Sequence, residues 1–414
     1  MAAASSSDFK IFGIGMAGQV IIAMILGILT GYFLGKDAEV LKVFGTVFIK
    51  LIKMVVAPLI FCALLMGITS ISEEGNFKRI AMRGTVAYMS TALMAVALGL
   101  FIGSVFEPGV GLPKPDGVIP PELSAAPPPS IGTFLMGLIP GNLIHALADD
   151  MYLQIVVFAI FTGITMNHLR DKTKKVKELN KEFAAIIFQM IEWIVRLSPM
   201  AIFGFMASLV GTTGFELIVS LFELMALVIG ACAIQYLFFG FLISVFGRIS
   251  PMPFYRKLLP TQILAFSTSS SKATLTTAMR ELEEKMGVSK STSNFMMPLG
   301  ASINMDGTAI YLGIVSVFFA QLYGVHLEFE DYLMLMLTCT LGSIGAAGIP
   351  SGSIIFMGMV LSSVGIPMEG IVMILGIDRI LDMFRTTINI TGDSAITLII
   401  DKVEGTLDMK EYNR

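Results

Sequence analysis

LLPTQILAFSTSSSKATLTTAM, residues 258–279, is apolar at both ends and polar in the middle. A helix needs about 20 predominantly apolar residues to cross a hydrocarbon core of about 30 Å, and the SSSK interruption leaves halves too short to cross alone. The stretch therefore reads as a hairpin that enters a membrane and returns. Residues 332–362 repeat the pattern, broken by GAAGIPSG. Flanking charge orients each one, because Lys and Arg accumulate on the cytoplasmic side. Arg256 and Lys257 precede the first stretch, and Arg280, Lys285 and Lys290 follow it, so it enters from inside. Between Tyr323 and Asp378 there is no Lys or Arg, while Glu328, Glu330, Asp331 and Glu369 bracket the second stretch, so it enters from outside. Two oppositely oriented hairpins suggest an inverted repeat whose broken tips meet near the midplane, where transporters place substrate and ions.

Around the hairpins, apolar runs recur at 11–35, 43–72, 85–106, 132–167, 183–212, 216–247, 291–323 and 366–400, and these predict eight crossings. The 414 residues are 55% hydrophobic and 14% charged, with mean hydropathy +0.80, more apolar than a soluble core of this size requires. The expected class is an all-α polytopic membrane protein in a lipid bilayer. Basic residues follow the second span (Lys78, Arg79, Arg83) and the fourth (Arg170, Lys172, Lys174, Lys175, Lys177, Lys181), which puts both termini in the cytoplasm. The opening MAAASSSDFK lacks the order of a cleaved signal, so the first helix is expected to be retained. No basic stripe points to nucleic acid, and Cys62, Cys232 and Cys339 show no metal-ligand spacing.

The last run contains LDMFRTTINITGD, 381–393. Asp378, Asp382, Arg385, Asn389 and Asp393 follow one another at helical spacing, so they fall within an arc of about 80° on one helix face. Ionisable groups at a helix centre cost about 2.5–3.5 kcal/mol each on insertion scales, so this face must line a cavity or a protein interface. An arginine fork suits a substrate carboxylate and a nearby aspartate suits an ammonium group. The competing structural reading is an ion-pair network about Arg385. A second constellation, PLGASINMDGTAIY at 298–311, places Asn304 and Asp306 two residues apart. They point nearly opposite ways on an intact helix, and Gly300 and Gly307 suggest local unwinding that would aim both at one hard cation. The hairpin tips STSSSKAT and GAAGIPSGS offer hydroxyls and free amides for a carboxylate.

In their joint order, the Ser-rich hairpin, NMDGT, the Gly/Pro-rich hairpin and DMFRTTINITGD resemble the glutamate transporter family, the dicarboxylate/amino acid:cation symporters, over essentially the whole chain. The resemblance implies a homotrimer working as an inverted-repeat, elevator-type transporter in a cell (inner) membrane. Its scaffold would hold residues 1–78 (helices 1–2) and 111–214 (a Pro-rich outer loop and helices 4–5). The mobile unit would hold 79–110 (helix 3) and 215–414 (helix 6, both hairpins, helices 7 and 8). By position, Arg385 would bind the substrate side-chain carboxylate and Asp382 its amino group, with Asn389, Thr386, Thr308, Ser269, Ser271, Ile349 and Ser353 completing the pocket. Dicarboxylate relatives lack the aspartate, so the pair favours uptake of aspartate or glutamate. One Na+ site would use Asp393 with carbonyls of Gly300, Asn304 and Asn389. A second would use Ser302 with carbonyls of Ser343, Ile344 and Ala346. A third would use Asp306, Asn304, Ser90 and Thr91. Departures from the family pattern are Ala87 beside Tyr88, Lys272 in the first tip, Ser269 and Met383 where relatives carry an arginine, and Arg379 one turn before Asp382.

The nearest alternative is a proton-coupled glutamate/aspartate or C4-dicarboxylate transporter of the same fold. From other classes, an intramembrane aspartyl protease fits paired membrane aspartates, and a channel is a third possibility, which the gating hairpins and the amino-acid-shaped charge set oppose. Against the protease, Arg385 beside Asp382 opposes the protonated carboxyl a catalytic dyad needs.

Overall fold

The computed structural model describes residues 16–69, 77–112, 136–137, 139–149, 151–213, 216–346, 352–367 and 370–414. The opening segment, most of the Pro-rich loop, Glu369 and the centre of the second tip, Ile349 included, lie outside the described residues. The described chain is helical, and four of its stretches are long and apolar enough to cross a membrane: Gly18–Met66, Met82–Phe106, Val219–Gly247 and Lys290–Tyr323. It is a multi-pass membrane architecture. The first of these stretches contains α1 (Met16–Leu34) and α2 (Lys42–Thr69), joined by a 3-10 turn, Gly35–Leu41.

The expected fifth span, 183–212, is two helices. α5 (Tyr152–Leu169) follows the short α4 (Leu143–Ala148) and leads through a 3-10 turn into α6 (Lys174–Arg196); a bend of 46° then separates α6 from α7 (Ser198–Thr213). Pro199 accounts for the break, since proline has no N–H to continue the ladder and is tolerated in a first helical turn. α6 is amphipathic, burying Ala184, Ile187, Ile191 and Ile194 on one face. It presents Leu179, Ile186 and Trp193 outward on the other. α1 packs along α7, and α2 packs against α5, α6 and α7.

The second half is built on α15 (Ile371–Glu404), the longest helix. Around it stand α8 (Glu216–Leu242), α9 (Met252–Thr268), α10 (Ser271–Arg280), α11 (Lys290–Ile303) and α12 (Asp306–Tyr323). α3 (Phe77–Phe106) runs along α12. α9 and α10 are the arms of the first broken stretch, and both are too short to span. Their joint is set by Ser269, whose φ of 50° ends α9 in the left-handed region. Ser270 then caps α10 by accepting the Ala273 N–H. α13 (Phe329–Gly345) and α14 (Gly352–Ser363), the arms of the second, pack on each other. The centre of α15 is buried on every side, with Ile388, Ile390, Ala395, Leu398 and Ile399 shielded like the polar stripe itself. That burial answers the question of where its charges go.

At the end of α15, Glu404 accepts hydrogen bonds from Arg79 and from Arg83, the latter at 2.7 Å, tying it to the start of α3. Burial acts to raise the Glu404 carboxyl, and the two guanidinium groups outweigh it, holding the group below the usual carboxylate range. A depressed folded-state value makes this contribution complete above the unfolded value of about 4.3, and it is lost as pH falls through the folded value. Thermal unfolding in detergent should therefore lose stability more steeply in the wild type than in Glu404→Gln between about pH 5 and pH 3. Parallel profiles would contradict the assignment.

Candidate functional site

The expected unwinding occurs. α11 stops at Ile303 and α12 starts at Asp306, with Asn304 extended (φ −109°, ψ 101°) and Met305 at φ −128°, ψ 58°. The glycines serve a different purpose from the one read in the sequence. Neither is at positive φ, and each lets a neighbour approach. A Cβ on Gly307 would stand 2.5 Å from the Arg385 carbonyl oxygen, and one on Gly300 2.6 Å from Asp393 Oδ1. They bring both halves of the broken helix against the polar face of α15.

Between the tips lies a small, partly open pocket. Ser269, Ser270 and Ser271 of the first tip form one wall, and Ala346, Gly352 and Ser353 of the second pair form another. Met305 and Thr308 come from the unwound segment, and Asp382, Thr386 and Asn389 from α15. Buried hydroxyls of Ser269 and Ser353 have no hydrogen-bond partner, so donors are available to a ligand. Asn389 is held for its place, accepting the Gly307 N–H at 2.8 Å.

Arg385 is the largest fully buried side chain. It donates through Nη1 to Asp378 Oδ1 at 2.8 Å and through Nη2 to Asp382 Oδ1 at 2.9 Å. Its guanidinium carbon lies 4.0 Å from the centroid of the Tyr311 ring. The guanidinium thus sits behind Asp382, and the structural network and the binding stripe weighed as rivals are the same residues. Both carboxylates are ion-paired to one cation, whereas an acid–base dyad needs one protonated carboxyl.

One to two turns along α15 is an oxygen-rich cluster. Asn304 Nδ2 donates to Asp393 Oδ1 at 3.0 Å, and Thr91 Oγ1 donates to Asn304 Oδ1 at 3.2 Å. Asp306 Oδ2 accepts from Gln235 Nε2 at 3.1 Å. Asp393 Oδ2 and Asp306 Oδ1 are buried without a hydrogen-bond partner. Two unpartnered carboxylate oxygens among hydroxyl and amide oxygens are a donor set that fits a hard cation. Ser90 is not brought here: it is exposed and donates to the Val86 carbonyl of its own helix. Ser302 and Ser343 likewise donate along their own helices, to Pro298 and Thr340, while the arms that carry them, α11 and α13, pack together.

A family profile described as "Sodium:dicarboxylate symporter family" matches residues 16–403. The chain belongs to the sodium:dicarboxylate symporter family. The same family contains the glutamate transporters that the motifs resemble. Among relatives in this symporter family, "C4-dicarboxylate transport protein 2" of Mesorhizobium japonicum is 31% identical over 410 residues, covering 96% of this chain and 91% of the relative. "C4-dicarboxylate transport protein" of Rhodospirillum rubrum is 32% identical over 404 residues, covering 94% and 88%. The protein of that name from Pseudomonas savastanoi pv. phaseolicola is 33% identical over 405 residues, covering 94% and 86%. These relatives are named for C4-dicarboxylate transport, not for transport of acidic amino acids. Membership in a symporter family carries cation coupling in general, without fixing the ion.

Around this candidate site, Gln235, Tyr311 and Thr397 escaped sequence reasoning, and Tyr88 was read only as a departure from the family pattern. Gln235 is a lone amide in an apolar helix, a signal that could have been used. Tyr88 lies buried within 3.1–3.3 Å of the Met296 and Asp393 carbonyls and the Thr397 hydroxyl. Tyr311 and Thr397 gave no pattern, because their partners are remote in sequence.

Proposed function

We propose that this protein is a cation-coupled secondary symporter for small C4 acids, with a dicarboxylate as the substrate class. The observation that carries the reading is the polar pocket between the two broken tips, with Arg385 behind it and a buried oxygen-rich cluster beside it. A carboxylate reaching Arg385 would meet a planar fork suited to two parallel hydrogen bonds. Unpartnered Ser269 and Ser353 hydroxyls, with Thr308 and Asn389, would hold the rest of the ligand; Ile349, in the undescribed tip, is retained as a backbone contact by resemblance.

Coupling follows from charge. Na+ or H+ would neutralise Asp393 and Asp306, held with Asn304, Thr91 and the Gly300 carbonyl, and so make the dry site tolerant of an anion. A further Na+ would sit with Ser302 and the carbonyls of Ser343, Ile344 and Ala346, beneath the second tip. The eight-span, two-hairpin topology, cytoplasmic termini and inner-membrane location remain as the charge pattern and the resemblance imply. So does the division into scaffold (α1, α2, α4–α7) and mobile unit (α3, α8–α15), which the packing of α2 with α5–α7 and of α15 with α8–α12 supports. The homotrimer is retained as the resemblance implies it.

A second reading has its own observation. Asp382 lines the pocket, and a carboxylate there suits the ammonium of aspartate, itself a C4 acid. Uptake of labelled succinate and aspartate into proteoliposomes, driven by an imposed sodium or proton gradient, tests both. Accumulation of either acid against its gradient supports symport, and accumulation of neither sinks it.

A further inference from the structure

Arg379 lies outside the pocket wall, yet its Nη1 stands 3.7 Å from Asp382 Oδ2, and both side chains are 13% exposed. No hydrogen bond reaches that carboxylate oxygen or Arg379 Nε. Asp382 is thus shared unequally. Its Oδ1 is hydrogen-bonded to Arg385, and its Oδ2 faces a second guanidinium at ion-pair distance without a hydrogen bond. Asp378, Asp382, Arg379 and Arg385 together form an ion-paired set of two aspartates and two arginines, neutral in the absence of ligand.

From this arrangement we propose that Arg379 is a specificity-determining residue, which lets the pocket accept C4 dicarboxylates that carry no amino group. The inference rests on the C4-acid reading above. Arg385 is fully buried and spoken for, so a substrate carboxylate reaches it only as Asp382 Oδ1 gives way. The released Asp382 then stands beside an incoming anion and needs a cation of its own. Aspartate brings one, its ammonium. Succinate brings none, and among the described side chains ion-paired to Asp382 the remaining cation is Arg379. A shift of Asp382 by one rotamer toward Arg379 would convert the 3.7 Å approach into a charge-assisted hydrogen bond. The same carboxylate is then an ammonium site for one substrate and a self-neutralised wall for the other. This accounts for an aspartate in the pocket of a chain whose relatives are named for C4 dicarboxylates.

The test compares apparent affinities for succinate and aspartate in proteoliposomes of the wild type, Arg379→Gln, Arg379→Lys and the double variant Arg379→Gln/Asp382→Asn. Arg379→Gln should worsen succinate relative to aspartate by about tenfold, equivalent to about 1.4 kcal/mol. Arg379→Lys should recover part of the ratio by keeping the charge. The double variant should restore succinate affinity, which a merely structural loss would not do, and should weaken aspartate. A wild type that takes up aspartate alone, an Arg379→Gln variant that shifts both acids equally, or a monodisperse double variant without succinate recovery would each overturn the proposal and leave the C4-acid reading standing. A wild type that takes up neither acid would remove the reading itself.

Discussion

Arg385→Ala is expected to abolish uptake of C4 acids and to destabilise the protein in the same stroke. The guanidinium is the shared partner of Asp378 and Asp382, and all three sit in the interior. Removing one member of a buried ion set leaves its partners uncompensated, at a cost of about 3–5 kcal/mol. The loss of uptake alone would therefore be ambiguous. A triple variant, Asp378→Asn/Asp382→Asn/Arg385→Met, removes the charges together and should regain most of the thermal stability lost by Arg385→Ala while still transporting nothing. Uptake at wild-type rates by either variant would show that the substrate carboxylate is held elsewhere.

Asp393→Asn is expected to have the other large effect. The substitution nearly preserves shape, so the local fold should survive, and the amide removes the charge whose second oxygen has no partner. If that oxygen is where a coupling cation is held, substrate affinity should stop responding to cation concentration. Coupling between linked sites is typically worth about 5–150-fold in affinity, and by linkage it acts equally in both directions. Binding measured across a cation titration should show a steep dependence in the wild type and a flat one in Asp393→Asn. An unchanged slope would place the cation site away from this cluster.

Much of this site could be read in the chain before folding. The helical spacing from Asp378 to Asp393 placed five polar residues on one face, and α15 keeps them there, because a helix fixes which of its own residues are neighbours. The break in the NMDGT segment was legible for the same local reason, since Asn304 and Asp306 cannot face one way on an intact helix. What spacing could not reveal was depth and partnership. It marked Arg385 as a substrate ligand but not as a residue sealed behind Asp382 and against Tyr311, contacts made across remote segments. Two adjacent hydroxyls, Ser90 and Thr91, looked equivalent. On a helix they stand about 100° apart, and only Thr91 turns toward Asn304. The glycines were assigned to unwinding because sequence records flexibility and not the 2.5 Å space that α12 needs beside Arg385. Expectations for Ile349 and the Pro-rich loop fall outside the described residues.

The central claim is that an acidic substrate and a cation are bound by adjacent, energetically linked clusters on α15. Its most direct test is equilibrium binding of succinate and aspartate to the purified protein in detergent, across independent titrations of sodium and of pH. Affinity for at least one of the two acids is expected to rise with sodium or with proton concentration, and the rise should disappear in Asp393→Asn. Affinity that ignores both ions, or that keeps its ion dependence in the variant, would contradict it.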